Sequence, residues 1–353
     1  MEELEYLKGR GAQLNPANRF RKNEYVTEHL EGLDEPFWQN SKTEFFSEAP
    51  KKIINKVESP DLGLSYSMNP YQGCEHGCIY CYARNTHEYW GYSAGLDFER
   101  KIIIKHNAPE ALAAQLENPK WRVLPLMLAG NTDCYQPIEQ KMQLTRRMLQ
   151  VLLEYRHPVS IITKNALILR DLDILTQLDK LNLLHVNISL TTLNEELRSR
   201  LEPRTAAATK RLAVIKKLSS AGISVNVMLA PIIPGLNDHE IPELMRQAAE
   251  HGAVSAAYNI VRLNGSIGEI FRDWLAKNYP DRAEKVLNQI AACHGGKIND
   301  STFGRRMTGE GKWAETIGNL FRMAKQKYLK DKQMKPYNYH LFCTKAGKQL
   351  GLF

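Results

Sequence analysis

A chain of 353 residues suits one large domain with flanking elements or two modest ones, so no disulfide or metal is needed to compensate for a small core. With 43% hydrophobic and 24% charged residues it has the composition of a folded protein, and 47 basic against 39 acidic side chains leave a net +8, a weak bias toward acidic partners. Six cysteines are too few for a disulfide-stapled secreted scaffold, the acidic N-terminus lacks an apolar signal core, and no apolar run approaches the roughly twenty residues of a membrane span. A cytoplasmic location and no membrane partner are expected.

In chain order, residues 1–64 hold nine basic and twelve acidic side chains, and NPANRF, EPFW and SPDLG read as turns. This stretch is expected to be an N-terminal extension packed on the domain that follows. From 65 to 265 the pattern becomes regular. Buried strands fit LSYSMNP (64–70), PLMLAGNTD (125–133), VSIITK (159–164), LLHVNISLTT (183–192), GISVNVMLAP (222–231) and AVSAAYNIVRL (253–263). Helices fit 138–155, 167–181, 206–220 and 238–250; in the first, Met142, Thr145, Met148, Leu149 and Leu152 fall at three- and four-residue steps. Strands alternating with helices imply parallel pairing. Six such units are too few for a closed eight-stranded barrel, so the expected α/β fold is an open, partial (βα)6 TIM-like barrel.

Residues 266–353 are expected to form a helical, basic C-terminal extension. Residues 297–353 alone hold twelve basic and four acidic side chains, including Arg305 and Arg306 in a Gly-rich segment. Trp313, Ile317, Leu320, Phe321, Ala324 and Tyr328 then form the apolar stripe of a helix that would cover the open edge of the barrel.

Polar residues cluster where the strands end: Asn131, Thr132 and Asp133; Thr163 and Lys164; Ser189, Thr191 and Thr192; Asn259 and Arg262. Parallel sheets place their chemistry at carboxyl-terminal strand ends. Just after the first strand, NPYQGCEHGCIYCYAR sets Cys74, Cys78 and Cys81 four and three residues apart. Such thiolates suit zinc or iron-sulfur. Zinc would require a fourth ligand, from His76 or His87, whereas a 4Fe-4S cluster held by three thiolates leaves one iron open. Gly73 and Gly77 would let the loop wrap closely and turn backbone N–H groups toward the sulfurs. No second cysteine set has cluster spacing, so no auxiliary cluster is expected.

Cys-x3-Cys-x-aromatic-Cys, here Cys74, Cys78, Tyr80 and Cys81, resembles the signature of the radical SAM superfamily at the top of its first barrel strand. GCEHGCIYCYAR, NTDCYQPIE, TKN, LEPRT and APIIPGLND are similar to blocks of the branch containing spore photoproduct lyase, often labelled DNA repair photolyase-like. The resemblance implies one 4Fe-4S cluster on the three cysteines and S-adenosylmethionine chelated at the open iron. An electron from a reducing donor such as flavodoxin or ferredoxin then cleaves the sulfonium bond, and a 5'-deoxyadenosyl radical abstracts a substrate hydrogen atom. A DNA or RNA base or lesion is the substrate class the resemblance implies. A peptide or small metabolite is the alternative, and a non-catalytic zinc- or cluster-holding protein the non-enzymatic one.

Residue by residue, the resemblance places Tyr80 and Tyr82 near the adenosine and Asn131 and Thr132 in the cofactor site. Lys164 would pair with the methionine carboxylate, Ser189 reach the ribose, and Ala230 meet the adenine through its backbone. A cation beside a carboxylate at a buried strand end also makes physical sense by itself. One departure stands out. The lyase returns a hydrogen atom from a cysteine just before this block, where the present chain has Gly130, and Cys134 lies four residues on. At about 3.3 Å per extended residue that moves a thiol by several ångströms, so Cys134 is read as an alternative hydrogen donor, a redox-active surface thiol or a small buried hydrophobe. Glu202 and Arg204 in LEPR are expected to pair.

Overall fold

Six strands lie side by side in the order in which they occur along the chain. The computed structural model of the protein describes residues 7–20 and 42–345. Its strands are β1 (Glu44–Glu48), β2 (Ile54–Lys56), β3 (Tyr66–Met68), β4 (Tyr71–Gln72), β5 (Lys101–Lys105), β6 (Leu126–Leu128), β7 (Val159–Thr163), β8 (Leu184–Ser189), β9 (Val225–Ile232) and β10 (Ser255–Ile260). The larger sheet runs β10-β9-β8-β7-β6-β3-β2. Its pairs from β3 to β10 are parallel, and β2 adds an antiparallel edge. Because β10 and β2 both end the sheet, the barrel is open, as the count of strand-helix units predicts. The EPFW turn lies outside the described residues.

Along each strand, alternate residues face the helices or the barrel interior. Val159, Ile161, Val186, Ile188, Val225 and Val227 are buried on the helix side, where each contributes roughly 1.5–3 kcal/mol. The other parity carries polar groups. Asn226 donates to Asn187 Oδ1 at 2.9 Å and Asn187 to Ser160 Oγ at 2.9 Å, a side-chain ladder across three strands. The same parity continues upward to Lys164, Ser189, Ala230 and Asn259, which is why these four reach one cleft.

The helix expected over 138–155 is two helices, Glu139–Met142 and Leu144–Glu154, broken at Gln143 with φ 52°. The cause is Glu139, whose buried carboxylate accepts the Thr145 N–H at 3.1 Å, the Tyr71 hydroxyl at 2.5 Å and Arg170 at 2.6 Å, and so caps the second helix. Residues 166–171 likewise form a 3-10 turn before helix Leu172–Lys180, started by Asn165 Oδ1 accepting from the Leu167 N–H. A smaller sheet, β1-β5-β4, had no counterpart in the expected strands. It matters because β4 leads directly into the cysteine loop.

At the far edge, helix Gly311–Tyr328 buries Ala314, Ile317, Phe321 and Ala324, with Phe321 packed 4.5 Å from the Tyr258 ring of β10. Trp313 falls off this stripe and is exposed. The chain then crosses beneath the barrel. Tyr337 stacks on His185 at 3.8 Å, the Asn338 N–H donates to Asn182 O, and the Cys343 N–H donates to Tyr155 O. These contacts close the amino-terminal ends of β7 and β8, opposite the cysteines.

Candidate active site

The cysteine loop is shaped from behind. Gly73 (φ 77°) and Gly77 (φ 67°) adopt the left-handed conformation, and a Cβ on Gly77 would lie 2.7 Å from Glu99 Oε2. Fully buried Glu99 accepts the backbone N–H groups of Gly11 and Ala12 at 2.9 and 2.8 Å and the Arg84 guanidinium at 2.5 Å. Arg84, equally buried, donates to Gly77 O at 3.0 Å and Cys78 O at 2.8 Å, and also to the carbonyls of Ala94 and Gly95. One ion pair thus joins the loop to an N-terminal strap that passes so close that a Cβ on Gly11 would sit 1.9 Å from Gly77 O.

Cys74, Cys78 and Cys81 all open onto one cleft of about 990 Å³, its mouth included. The Asp133 N–H faces the Cys74 sulfur, and the N–H groups of Ala83 and Arg84, at the start of the 3-10 helix Tyr82–Trp90, face Cys81. Burial pushes all three thiols up from their ordinary value, so a bound cation would have to displace their protons. Among the described residues no three His, Cys, Asp or Glu side chains converge on a point that could hold a single metal ion. His76 lines the cleft but is engaged, with Nδ1 3.3 Å from Asp133 and Nε2 3.2 Å from the Asn165 amide. His87 is buried away from it, between Tyr92 and Phe98.

Two carboxylates, Glu202 fully buried and Asp133 nearly so, organise the polar wall. Burial alone would raise the Asp133 carboxyl, but His76 and the N–H groups of Lys164 and Tyr135 hold it at about 2. Burial would likewise raise Glu202, yet Arg211 and Lys164 hold it at about 2. Glu202 accepts from the Tyr80 hydroxyl, from Thr191 at 2.7 Å and from Arg211, which also donates to Ser189 O at 3.0 Å. Its expected partner was Arg204. That residue instead lies 4.0 Å from Glu75 and donates to Gly9 O, because the turn after helix Glu195–Leu201 aims it at the N-terminal strap. The Lys164 ammonium sits 5.9 Å from the Tyr80 ring centroid, and among the described residues no carboxylate lies within 4.0 Å of it.

Of the residues expected in the cofactor site, Tyr80, Tyr82, Asn131, Lys164, Ser189 and Ala230 line the cleft with the cysteines. Asn131 does so with its amide donated to Gln72 and Thr86, and the Tyr82 hydroxyl donates to Gly130 O. Thr132 is elsewhere: it is buried and its hydroxyl donates to Tyr71 O at 2.8 Å. Cys134, the candidate hydrogen donor, is fully buried in the main hydrophobic core and does not line the cleft. Ala129, at φ 71°, breaks the extended chain after β6, so strand parity no longer applies to these residues. Arg84, Glu99 and Arg211 went unrecognised in the sequence, where nothing distinguishes a buried charge from a solvated one.

An open parallel barrel whose first parallel strand, β3, is followed through the short β4 by a three-thiol loop at the mouth of a strand-end cleft is the architecture of radical SAM enzymes. Residues 68–248 match the family model of the Radical SAM superfamily. An uncharacterised protein of Mycobacterium tuberculosis is 35% identical over 234 residues, 65% of this chain and 69% of its own. One of Methanocaldococcus jannaschii is 30% identical over 252 residues, 71% of this chain and 90% of its own. A solved spore photoproduct lyase variant aligns with a TM-score of 0.61 at 14% identity, over 83% of this chain and 82% of that one. Another, with bound AdoMet and dinucleoside spore photoproduct, gives 0.58 at 14% over 80% and 78%. At such identity the likeness is one of fold. The chain belongs to the Radical SAM superfamily and is an enzyme of that class. No helix among its described residues is long and apolar enough to cross a membrane.

Proposed function

We propose that Cys74, Cys78 and Cys81 hold one 4Fe-4S cluster and that the cleft beside it binds S-adenosylmethionine. The observation that carries this reading is that the three thiols and the Lys164 ammonium open onto the same cleft. The donor set fits a cube held at three corners: three soft thiols open onto one cleft, while of the two candidate fourth ligands for zinc His76 is engaged by Asp133 and Asn165 and His87 is buried between Tyr92 and Phe98. When bound, the cluster and its cofactor supply reductive cleavage of the sulfonium bond and a carbon radical that abstracts a hydrogen atom.

The chain's own residues bind, orient and shield. Lys164 offers an ammonium to the methionine carboxylate, Ser189 a hydroxyl to the ribose, and Ala230 its backbone to the adenine. Tyr80 and Asn131 shape the cofactor side of the wall, while Tyr82, expected beside the adenosine, is exposed at the cleft and is read on the substrate side instead. The N–H groups facing Cys74 and Cys81 favour added negative charge on the sulfurs. Thr132 acts through the position of the Tyr71 backbone. Hydrogen return by Cys134 would require that thiol to leave the core, so the returning donor is read as another group.

The substrate we infer is a nucleic-acid base or lesion, reduced chemistry being supported by a flavodoxin- or ferredoxin-like donor. Support comes from the fold likeness to spore photoproduct lyase, solved with a dinucleoside photoproduct, and from the exposed Tyr82 ring at the cleft. Anaerobic reconstitution with iron, sulfide and a reductant, followed by iron counting and electron paramagnetic resonance with and without S-adenosylmethionine, tests the cluster and cofactor. A spectrum altered by the cofactor, with 5'-deoxyadenosine released, is expected; one zinc per chain and no cluster would defeat the reading. Supplying deuterated DNA, RNA and peptide fractions then asks which one passes deuterium to 5'-deoxyadenosine.

A further inference from the structure

The cleft has a second cation besides Lys164. Arg262 follows β10, the far edge of the sheet, and lines the cleft with Asn259 and Tyr82. Around it lie two more arginines and two carboxylates, and the carboxylates are taken. Asp300 binds Arg305 at 2.6 Å, and Asp61 binds Arg306 at 2.5 Å together with the Gly304 N–H at 2.7 Å. Arg262 is left with the Asp300 carbonyl at 3.4 Å and, among the described residues, no carboxylate within ion-pair distance. The basic C-terminal segment therefore spends Arg305 and Arg306 on internal pairs, while the uncompensated guanidinium at the cleft comes from the barrel itself.

Its neighbours share a chemistry. Asn259 lines the cleft with its Oδ1 buried and without a partner. Tyr82 presents a ring that is 53% exposed. An amide can read a base edge, an aromatic ring can stack on a base, and a guanidinium takes two phosphate oxygens at once. Half-burial, with Arg306 close by, lowers the Arg262 pKa against the opposing pull of Asp61 and Asp300, a cost that a bound oxyanion would relieve.

Resting on the nucleic-acid reading above, we propose that Arg262 is the phosphate anchor of the substrate subsite, holding the phosphodiester beside a base that meets Tyr82 and Asn259. The test uses anaerobically reconstituted protein with S-adenosylmethionine. It titrates a short fluorescein-labelled single-stranded DNA, and its RNA counterpart, across a salt series. Arg262→Gln should weaken binding about tenfold or more, as loss of a charge-assisted contact does, and lower the slope of log K against log salt by about 0.7. Arg262→Lys should restore the slope but only part of the affinity, because an ammonium lacks the forked geometry. If Arg262→Gln fails to fold, the lysine variant alone decides: affinity equal to the parent overturns the anchor. Equal affinity and slope in the parent and a folded Arg262→Gln protein overturns the anchor while leaving the nucleic-acid reading intact. Absence of salt-sensitive binding in the parent overturns both. Loss of S-adenosylmethionine binding in Arg262→Gln, measured by calorimetry, overturns it by assigning Arg262 to the cofactor half.

Discussion

Tyr80 stands between Lys164 and Glu202: its ring lies 5.9 Å from the lysine ammonium and its hydroxyl donates to the buried glutamate. Glu202 is in turn held by Arg211 and Thr191. A carboxylate that lines no part of the cleft thereby fixes one wall of it.

Glu202→Gln should consequently leave Arg211 buried without a counter-ion, at a cost of about 3–5 kcal/mol in urea unfolding. Adding Arg211→Met should recover part of that loss, since an apolar side chain needs no partner. A single variant within about 1 kcal/mol of the parent would show that the pair does not carry the network.

Lys164→Ala should retain iron and sulfide but weaken S-adenosylmethionine binding at least about tenfold, the worth of a charge-assisted contact. Calorimetry on the reconstituted protein checks this, and an unchanged Kd would remove Lys164 from the cofactor site.

Cys78→Ala should lose the cluster and keep the fold. The loop remains tied by Arg84 and by the Ile79 N–H donating to Leu201 O at 3.1 Å, neither of which needs the thiol. Iron analysis beside far-ultraviolet circular dichroism separates the two effects.

Gly11→Ala places a methyl 1.9 Å from Gly77 O, against backbone that cannot give way cheaply. The strap must lift, loosening two N–H donors from Glu99. The expected destabilisation is about 1–3 kcal/mol, with faster cluster loss in air although no ligand has changed. Cluster decay indistinguishable from the parent would mean that the strap does not shield the loop.

His157 accepts from the Trp121 indole N–H at 3.1 Å through Nε2 and reaches Pro158 O at 2.9 Å through Nδ1, an arrangement that suits the neutral ring. Burial lowers its pKa from 6.5 to about 4. The unfolded chain therefore binds the proton first. The histidine's stabilising contribution is complete above pH 6.5 and is lost as pH falls toward 4, by roughly 3 kcal/mol at most. His157→Gln should flatten that part of the pH profile of urea unfolding; an unaltered profile would assign the dependence to other groups.

The strands and the thiol loop were legible because each has a local signal. Period-2 alternation, ended at a parallel strand's carboxyl terminus, was enough to bring Lys164, Ser189 and Asn259 to the same place, whereas Ala230 was expected there only from the resemblance. Thr132 and Cys134 were not legible in the same way, since the left-handed Ala129 breaks the alternation just before them. Nor could Glu202 be matched with Arg211 rather than with Arg204, two residues away, because a helix turn decides which guanidinium faces inward.

Amino-acid order alone determined the open parallel barrel, the three-thiol loop and the cation placed at the end of β7, all of which follow from spacing within a few residues. Tertiary structure alone decided which charges are buried and with whom. Arg84 meets Glu99, Arg211 meets Glu202, and Arg305 and Arg306 are matched to acids while, among the described residues, Arg262 is not. Desolvation makes an unpaired buried charge expensive, so pairing is settled by which segments approach in space, a quantity that no local pattern encodes.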